Sequence, residues 1–236
     1  MKRFFVDKIE EVTELCGEEF EHARNVLRTN VGEEVVLLDN SGKEYTAVVA
    51  TVEKKRMLLN VVREEIGARE AETDVCLLFG YLKNADKNEF TVQKAVELGV
   101  RKIGVFSSEF SSAYMNANKL ERLNKVAKES AKQCLRSVAP TIEYYETLEE
   151  ALRAGAEYEN KLFACEFAKE SEIDISRIAG STTIVIGSEG GFSKTEAERA
   201  HALGYKHITL GKRILRAETA SVALTAVVMH ALGEWQ

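Results

Sequence analysis

Two short segments concentrate the residues that could do chemistry. The first is Gly187-Ser188-Glu189-Gly190-Gly191, ahead of Phe192 and directly after the β-branched run Thr182 to Ile186. The second runs Leu210-Gly211-Lys212-Arg213-Ile214-Leu215-Arg216-Ala217-Glu218-Thr219-Ala220, after His207-Ile208-Thr209. Apolar, β-branched runs of this kind suit buried parallel strands. In an open α/β sheet, ligands sit outside the carboxyl ends of such strands. Glycine at two strand exits therefore points to a small-molecule pocket built largely from backbone. Glu189 makes the first turn a poor cradle for phosphate, because its charge repels an anion. A ligand that carries hydroxyls or a positive charge suits it better.

The elements that would position these turns can be read from periodicity. From Asp74 onward, strand and helix alternate. Val75 to Tyr81, Ile103 to Phe106 and Leu162 to Cys165 read as strands. A helix with apolar spacing at Phe90, Val92, Ala95, Val96 and Leu98 stops at Gly99, and another is predicted at Leu148 to Ala154. Ser193 and Glu196 fit a capping box that opens a helix ending at Gly204. The last helix is apolar almost all round and must be buried in a core, an interface or both. This order makes a doubly wound parallel α/β sheet the economical fold. The first seventy residues differ. Glu18 to Arg28 reads as a short helix, and the runs Glu34 to Asp39, Glu44 to Val52 and Met57 to Val62 flank tight turns. That pattern predicts a small β-barrel or half-barrel. The charged stretch Arg63 to Thr73 reads as a linker.

Composition excludes several classes. The chain has 236 residues and a net charge of −6. It contains no run of roughly 18 apolar residues that would span a membrane, and its amino terminus lacks the pattern of a signal peptide. A cytoplasmic protein is the expectation. Cys16, Cys76, Cys134 and Cys165 form no C-x-x-C pair, and the four histidines form no ligand motif, so no metal is expected. Neither G-x-x-x-x-G-K-[ST] nor G-x-G-x-x-G occurs, which disfavours nicotinamide and phosphate-transfer enzymes. Net acidity speaks against bulk attraction to nucleic acid. Lys125, Lys128, Lys132 and Arg136 nevertheless share one helical face. That face reads either as solvated surface or as a local basic patch.

The segments Ile186 to Phe192 and Leu210 to Ala220 closely resemble those of SPOUT-class RNA methyltransferases, specifically the family that methylates uridine N3 in small-subunit (16S) ribosomal RNA. Val26-Leu27-Arg28 with Gly32, Gln93 to Val100, and Gln133-Cys134-Leu135-Arg136 followed by Pro140 extend the resemblance along the whole chain. The resemblance implies a PUA-like β-barrel over residues 1–70 that binds RNA. It is followed, over residues 71–236, by a knotted (trefoil) parallel α/β methyltransferase domain. It implies S-adenosyl-L-methionine as cofactor, bound by Glu166, Gly187, Ser188, Glu189, Gly190, Gly191, Leu210, Gly211, Ile214, Leu215 and Ala220. It also implies a homodimer that acts on the assembled small ribosomal subunit. The cofactor's sulfonium and ribose hydroxyls, with no phosphate, match the acidic glycine turn.

Within that reading, uridine N3 is a weak nucleophile until its proton leaves, so a cation or a base beside it would help. Arg216 is the candidate for stabilising the anion; Glu218 would orient Arg216 or assist the proton. The alternative reading is an Arg216–Glu218 pair that locks the turn. Lys2, Arg3, Arg24, Arg28 and Arg136 are candidate RNA contacts, with ordinary surface charge as the alternative. Two departures stand out: Ser188 replaces the proline usual in the family, which would loosen the turn, and Lys132 stands where an acidic residue is common. Two other functions stay open: methylation of another RNA nucleotide, and a non-catalytic RNA-binding protein of the same fold.

Overall fold

The computed structural model describes residues 1–235. The chain divides into two units, Met1–Glu70 with Ala131–Ala139, and Ala71–Ser130 with Pro140 onward. The first unit holds a five-stranded sheet in the order β1-β3-β4-β5-β2: β1 Lys2–Phe5, β2 Val12–Cys16, β3 Glu34–Leu38, β4 Lys43–Val52 and β5 Arg56–Ile66. Only β1 and β3 run parallel. Two register shifts bend the β4–β5 ladder, at Thr46/Ala47 and Val49/Thr51, and such bulges increase local twist and curl a sheet. Phe4, Leu15, Phe20, Leu37, Val49, Met57 and Leu59 fill the curled side. Phe20 and Ala23 reach this core from a helical segment that is α-helical at Gly17–Glu21 (α1) and a π-helix at His22–Val26.

The expected linker is in part a strand. Arg63 to Ile66 continue β5 and pair with Lys43 to Thr46. Backbone pairing needs no apolar pattern, and here the side chains face solvent. Their charge also blunts an exposed strand edge. Strands β1 and β2 likewise escaped the sequence reading, being short and weakly patterned.

The second unit is a six-stranded, wholly parallel sheet in the order β11-β9-β10-β6-β7-β8. Its strands are β6 Val75–Gly80, β7 Lys102–Phe106, β8 Ile142–Tyr145, β9 Asn160–Ala164, β10 Thr182–Ile186 and β11 Lys206–Ile208. The helices are α2 Ala85–Glu97, α3 Ala117–Gln133 (which crosses into the first unit), α4 Leu148–Ala154, α5 Lys194–Ala202 and α6 Ala217–Ala231. Every residue of β6 and of β10 is buried, which explains their continuous apolar runs. Leu78, Phe106, Leu152, Phe163, Val185 and Tyr205 belong to the core in which α4 and α5 are also buried. Helix α6 packs on α2, on β6 and β10, and on the short turn Ile175–Arg177 of the β9–β10 connection. Phe90, expected on the apolar face of α2, is 43% exposed, because the buried face is Asn88, Thr91, Val92, Ala95 and Val96. No helix among the described residues is long and apolar enough to cross a membrane.

Strand order places a switch point between β6 and β10. From β6 the chain moves outward to β7 and β8, then crosses to β9 on the other side before β10 returns to the middle. A crevice at such a switch point is the default ligand site of an open α/β sheet.

Candidate functional site

Two glycines end the strands that flank this switch point. Gly80 closes β6, and a Cβ there would lie 2.5 Å from the backbone nitrogen of Ser188. Gly187 follows β10, and its Cβ would meet the backbone of Gly191 at 3.1 Å. The turn between them is tight: the Gly191 amide donates to the Ser188 carbonyl at 3.0 Å, with Gly191 at φ +66°. Phe192, 3% exposed, anchors the turn from below, its ring centroid 4.2 Å from that of Phe163. Immediately afterwards, Ser193 and Glu196 form the expected capping box. The remaining oxygen of Glu196 accepts from the Glu109 amide at 2.9 Å, which ties the β7 exit to the same corner.

The flanking residues converge on this turn. The Glu189 carboxylate accepts from the Lys83 amide at 3.1 Å. Glu166, at the β9 exit, brings an oxygen to 3.6 Å from where a Gly191 Cβ would be. Over Gly190 lies Phe110, whose Cβ and carbonyl oxygen would be 2.6 and 2.9 Å from a Gly190 Cβ. The Ser188 hydroxyl is buried and has no hydrogen-bond partner among the described residues. A backbone cradle, two carboxylates and an orphaned hydroxyl fit a ligand rich in hydroxyls and carrying positive charge. Among the described residues no group of three His, Cys, Asp or Glu could hold a metal.

The second segment leaves the edge strand. Leu210 is half-buried, Gly211 sits at φ +95°, and Ile214 is 90% exposed. This loop is tied down through Thr209 and Ser171, whose hydroxyl accepts from the Thr209 amide at 3.1 Å. Leu215 is half-buried, and Ala220 is buried in the first turn of α6. Arg216 is exposed, and its guanidinium has no hydrogen bond or ion pair among the described residues. Glu218 does not pair with it. Its carboxylate meets Lys87 of α2 at 3.0 Å, while the other oxygen is buried with no hydrogen-bond partner among the described residues. Burial works to raise the pKa of Glu218. Its own backbone amide, Lys87 and the nearby Arg216 charge outweigh that and hold it below the usual carboxylate range. A carboxylate held ionised in this way is a weak proton acceptor.

Two of the five candidate RNA contacts need correction. Arg136 is 2% exposed; its Nε and Nη2 donate to Glu70 at 3.0 and 2.7 Å. Arg3 is 8% exposed and grips Glu44 with both terminal nitrogens, at 3.0 and 2.7 Å. Both guanidinium groups face carboxylates inside the first unit, where a buried cation requires a partner, although Nε and Nη2 of Arg3 make no hydrogen bond among the described residues. Lys2 pairs with Glu33 at 2.5 Å, and Arg24 donates to the Lys54 carbonyl at 3.0 Å. Arg28 differs from all of these. It is exposed, adopts φ +49°, and its guanidinium has no partner among the described residues. A positive φ on a non-glycine residue directly after a π-helix is the kind of local strain that collects at functional positions.

Sequence reasoning missed Gly80, Lys83, Lys87 and Phe110. Gly80 had a legible signal, a glycine closing a buried strand as Gly187 does. The others act across elements far apart in sequence and carry no local mark.

Comparison with known proteins agrees with this geometry. Residues 69–229 match the model of an RNA methyltransferase domain, and residues 15–62 that of an RNA methyltransferase PUA domain. The chain is 36% identical to ribosomal RNA small subunit methyltransferase E of Mesomycoplasma hyopneumoniae over 70% of this chain and 73% of that one. It is 30% identical to the Bacillus subtilis protein of the same name over 96% of both. The crystal structure of the Neisseria gonorrhoeae counterpart, bound to S-adenosyl methionine, superposes with a TM-score of 0.88 at 30% identity over the full length of both chains. The fold is a PUA-like half-barrel followed by a SPOUT-type parallel α/β domain.

Proposed function

The chain belongs to the ribosomal RNA small subunit methyltransferase E family, and from that premise we propose that it methylates N3 of one uridine in 16S ribosomal RNA, using S-adenosyl-L-methionine. The observation that carries the reading is the acidic glycine turn at the switch point, with an orphaned Ser188 hydroxyl and an unpaired Arg216 on the neighbouring loop. The cofactor, when bound, supplies an electrophilic methyl group. Gly187 to Gly191 offer backbone at close range, Glu166 and Glu189 offer carboxylates toward hydroxyls or positive charge, and Leu210, Gly211, Ile214, Leu215 and Ala220 complete the proposed pocket.

Arg216 places a permanent cation where a deprotonated uracil would carry its negative charge, lowering the cost of losing the N3 proton. Its exposure leaves it free to meet RNA. Glu218 sets the first turn of α6 behind it and, with its pKa held below the usual carboxylate range, would be a weak base.

The amino-terminal unit, residues 1–70, is the proposed RNA-binding module, with residues 71–236 the methyltransferase module. Arg28 is its principal contact, assisted by Lys2 and Arg24. Phosphate contacts of this kind position RNA without reading its sequence, which suits an assembled small subunit in the cytoplasm as target. A homodimer is also proposed: the apolar side chain of Val227 on α6 is 50% exposed, and sedimentation at micromolar concentration would show twice the chain mass.

A titration tests the class of the protein. Saturable binding of adenosylhomocysteine, no response to NAD or ATP, and enzyme-dependent transfer of labelled methyl to small subunits are expected. Binding of NAD or ATP in its place would discard the reading.

A further inference from the structure

We infer that Lys87 is a positioning residue for methyl transfer: by holding the Glu218 carboxylate, it keeps that carboxylate from capturing Arg216. The inference rests on the proposed role of Arg216. Its basis is a chain of contacts that fixes the first turn of α2 against the strand exits. Gly80 lets β6 approach the Ser188 backbone. Leu82, just after it, is clamped by Asn88, whose side chain accepts from the Leu82 amide at 2.9 Å and donates to the Leu82 carbonyl at 2.8 Å. The Lys83 amide donates to Glu189, and Asn84 caps the helix through the Asp86 amide. Lys87 is therefore held on a rigid turn, with its ammonium 3.0 Å from Glu218.

Glu218 is two residues beyond Arg216, and its side chain is 13% exposed. A carboxylate so placed takes whatever cation it can reach, because leaving a buried charge unpaired is costly. Arg216 is the N-cap residue of α6, and Glu218 lies in the first turn of the same helix. A guanidinium also binds a carboxylate through two parallel hydrogen bonds, a geometry an ammonium lacks. Without Lys87, Glu218 would pair with Arg216 and neutralise the charge meant for the substrate. With Lys87 in place, the carboxylate is satisfied on α2 and Arg216 stays unpaired.

The test is a four-member set, wild type, Lys87→Met, Glu218→Gln and the double variant, with Lys87→Arg alongside. Single-turnover methyl transfer to small subunits is measured with enzyme in excess, together with adenosylhomocysteine affinity and thermal midpoint. Lys87→Met is expected to slow transfer roughly tenfold, within the range of coupling between residues of one charge network, at unchanged cofactor affinity. Lys87→Arg should keep most of the rate. In the Glu218→Gln background, the same Lys87→Met change should matter less than about twofold, since no carboxylate remains to be diverted. An unchanged rate in Lys87→Met, an equal loss in both backgrounds, or a parallel loss of cofactor affinity would overturn the assignment. If wild type itself transfers no methyl, the proposed reaction fails instead, a result the same experiment separates.

Discussion

The amino-terminal unit and the strand exits of the second unit use arginine in opposite ways. In the first unit, Arg3 and Arg136 are buried and bound to Glu44 and Glu70. Glu70 also accepts from the amides of Ser137 and Val138, at 2.9 and 3.1 Å, so the pair ties residues 131–139 into that unit. At the strand exits, Arg216 is exposed and unpaired although a carboxylate stands two residues away. A cation that is buried against a carboxylate is part of the scaffold. One left free beside an available carboxylate has been kept free, and Lys87 supplies the means. The contrast also separates Arg28 from its neighbours in the first unit.

The largest break in this comparison is expected from Arg136→Ala. It leaves Glu70 buried without its cation, and removing one member of a buried pair typically costs about 3–5 kcal/mol. Denaturant unfolding should show that loss. Arg216→Ala should leave stability unchanged and slow methyl transfer by about two to three orders of magnitude, the range for losing one donor to a developing anion. Cofactor affinity should hold. Equal losses of rate and affinity would make Arg216 a cofactor residue and erase the distinction.

Gly190→Ala sharpens the picture of the glycine turn. The added methyl runs into Phe110, not into open pocket, and overpacking of this kind costs about 1–3 kcal/mol. Weaker adenosylhomocysteine binding in calorimetry should accompany it, because Phe110 and the turn must move apart. Ser188→Ala tests the orphaned hydroxyl. Without ligand, losing an unpaired buried hydroxyl should raise stability by about 1 kcal/mol, a rise of roughly 2–4 °C in thermal midpoint. With the hydroxyl gone, cofactor affinity should fall.

The smallest effect concerns acid. Burial works to raise the pKa of Glu44, but Arg3 and Ser137 hold it below its ordinary value of 4.5. A carboxylate depressed in the folded state lends stability that is complete above the unfolded value and lost as pH falls through the folded one. Unfolding measured between pH 5 and pH 3 should therefore steepen in the wild type, and Arg3→Met should flatten that slope (a window placed about the ordinary carboxylate pKa).

Much of this architecture was legible in the chain. The runs at Val75, Ile103, Leu162 and Thr182 became parallel strands because burial on both faces demands continuous apolar sequence. The capping box at Ser193 and Glu196 and the positive-φ stop at Gly99 are local chemistry, and both are present. What the sequence hid was tertiary. Nothing near Arg136 announces that Glu70 lies against it, and a helical face of lysines reads alike whether solvated or bound. Lys132 of that face reaches Glu19 at 3.0 Å, a pairing across more than a hundred positions. The partners of Glu218 and Gly190 were invisible for the same reason. Lys87 and Phe110 come from other strand exits, so only the folded sheet brings them near.

The glycine turn and Arg216 are proposed to serve methyl transfer to uridine N3 together. The most direct test is incubation of the protein with undermethylated small ribosomal subunits and labelled S-adenosyl-L-methionine, with the product nucleoside identified by mass spectrometry. Label in 3-methyluridine at a single position, lost in Arg216→Ala, is the expected result. Label in another nucleoside, or undiminished transfer by Arg216→Ala, would contradict it.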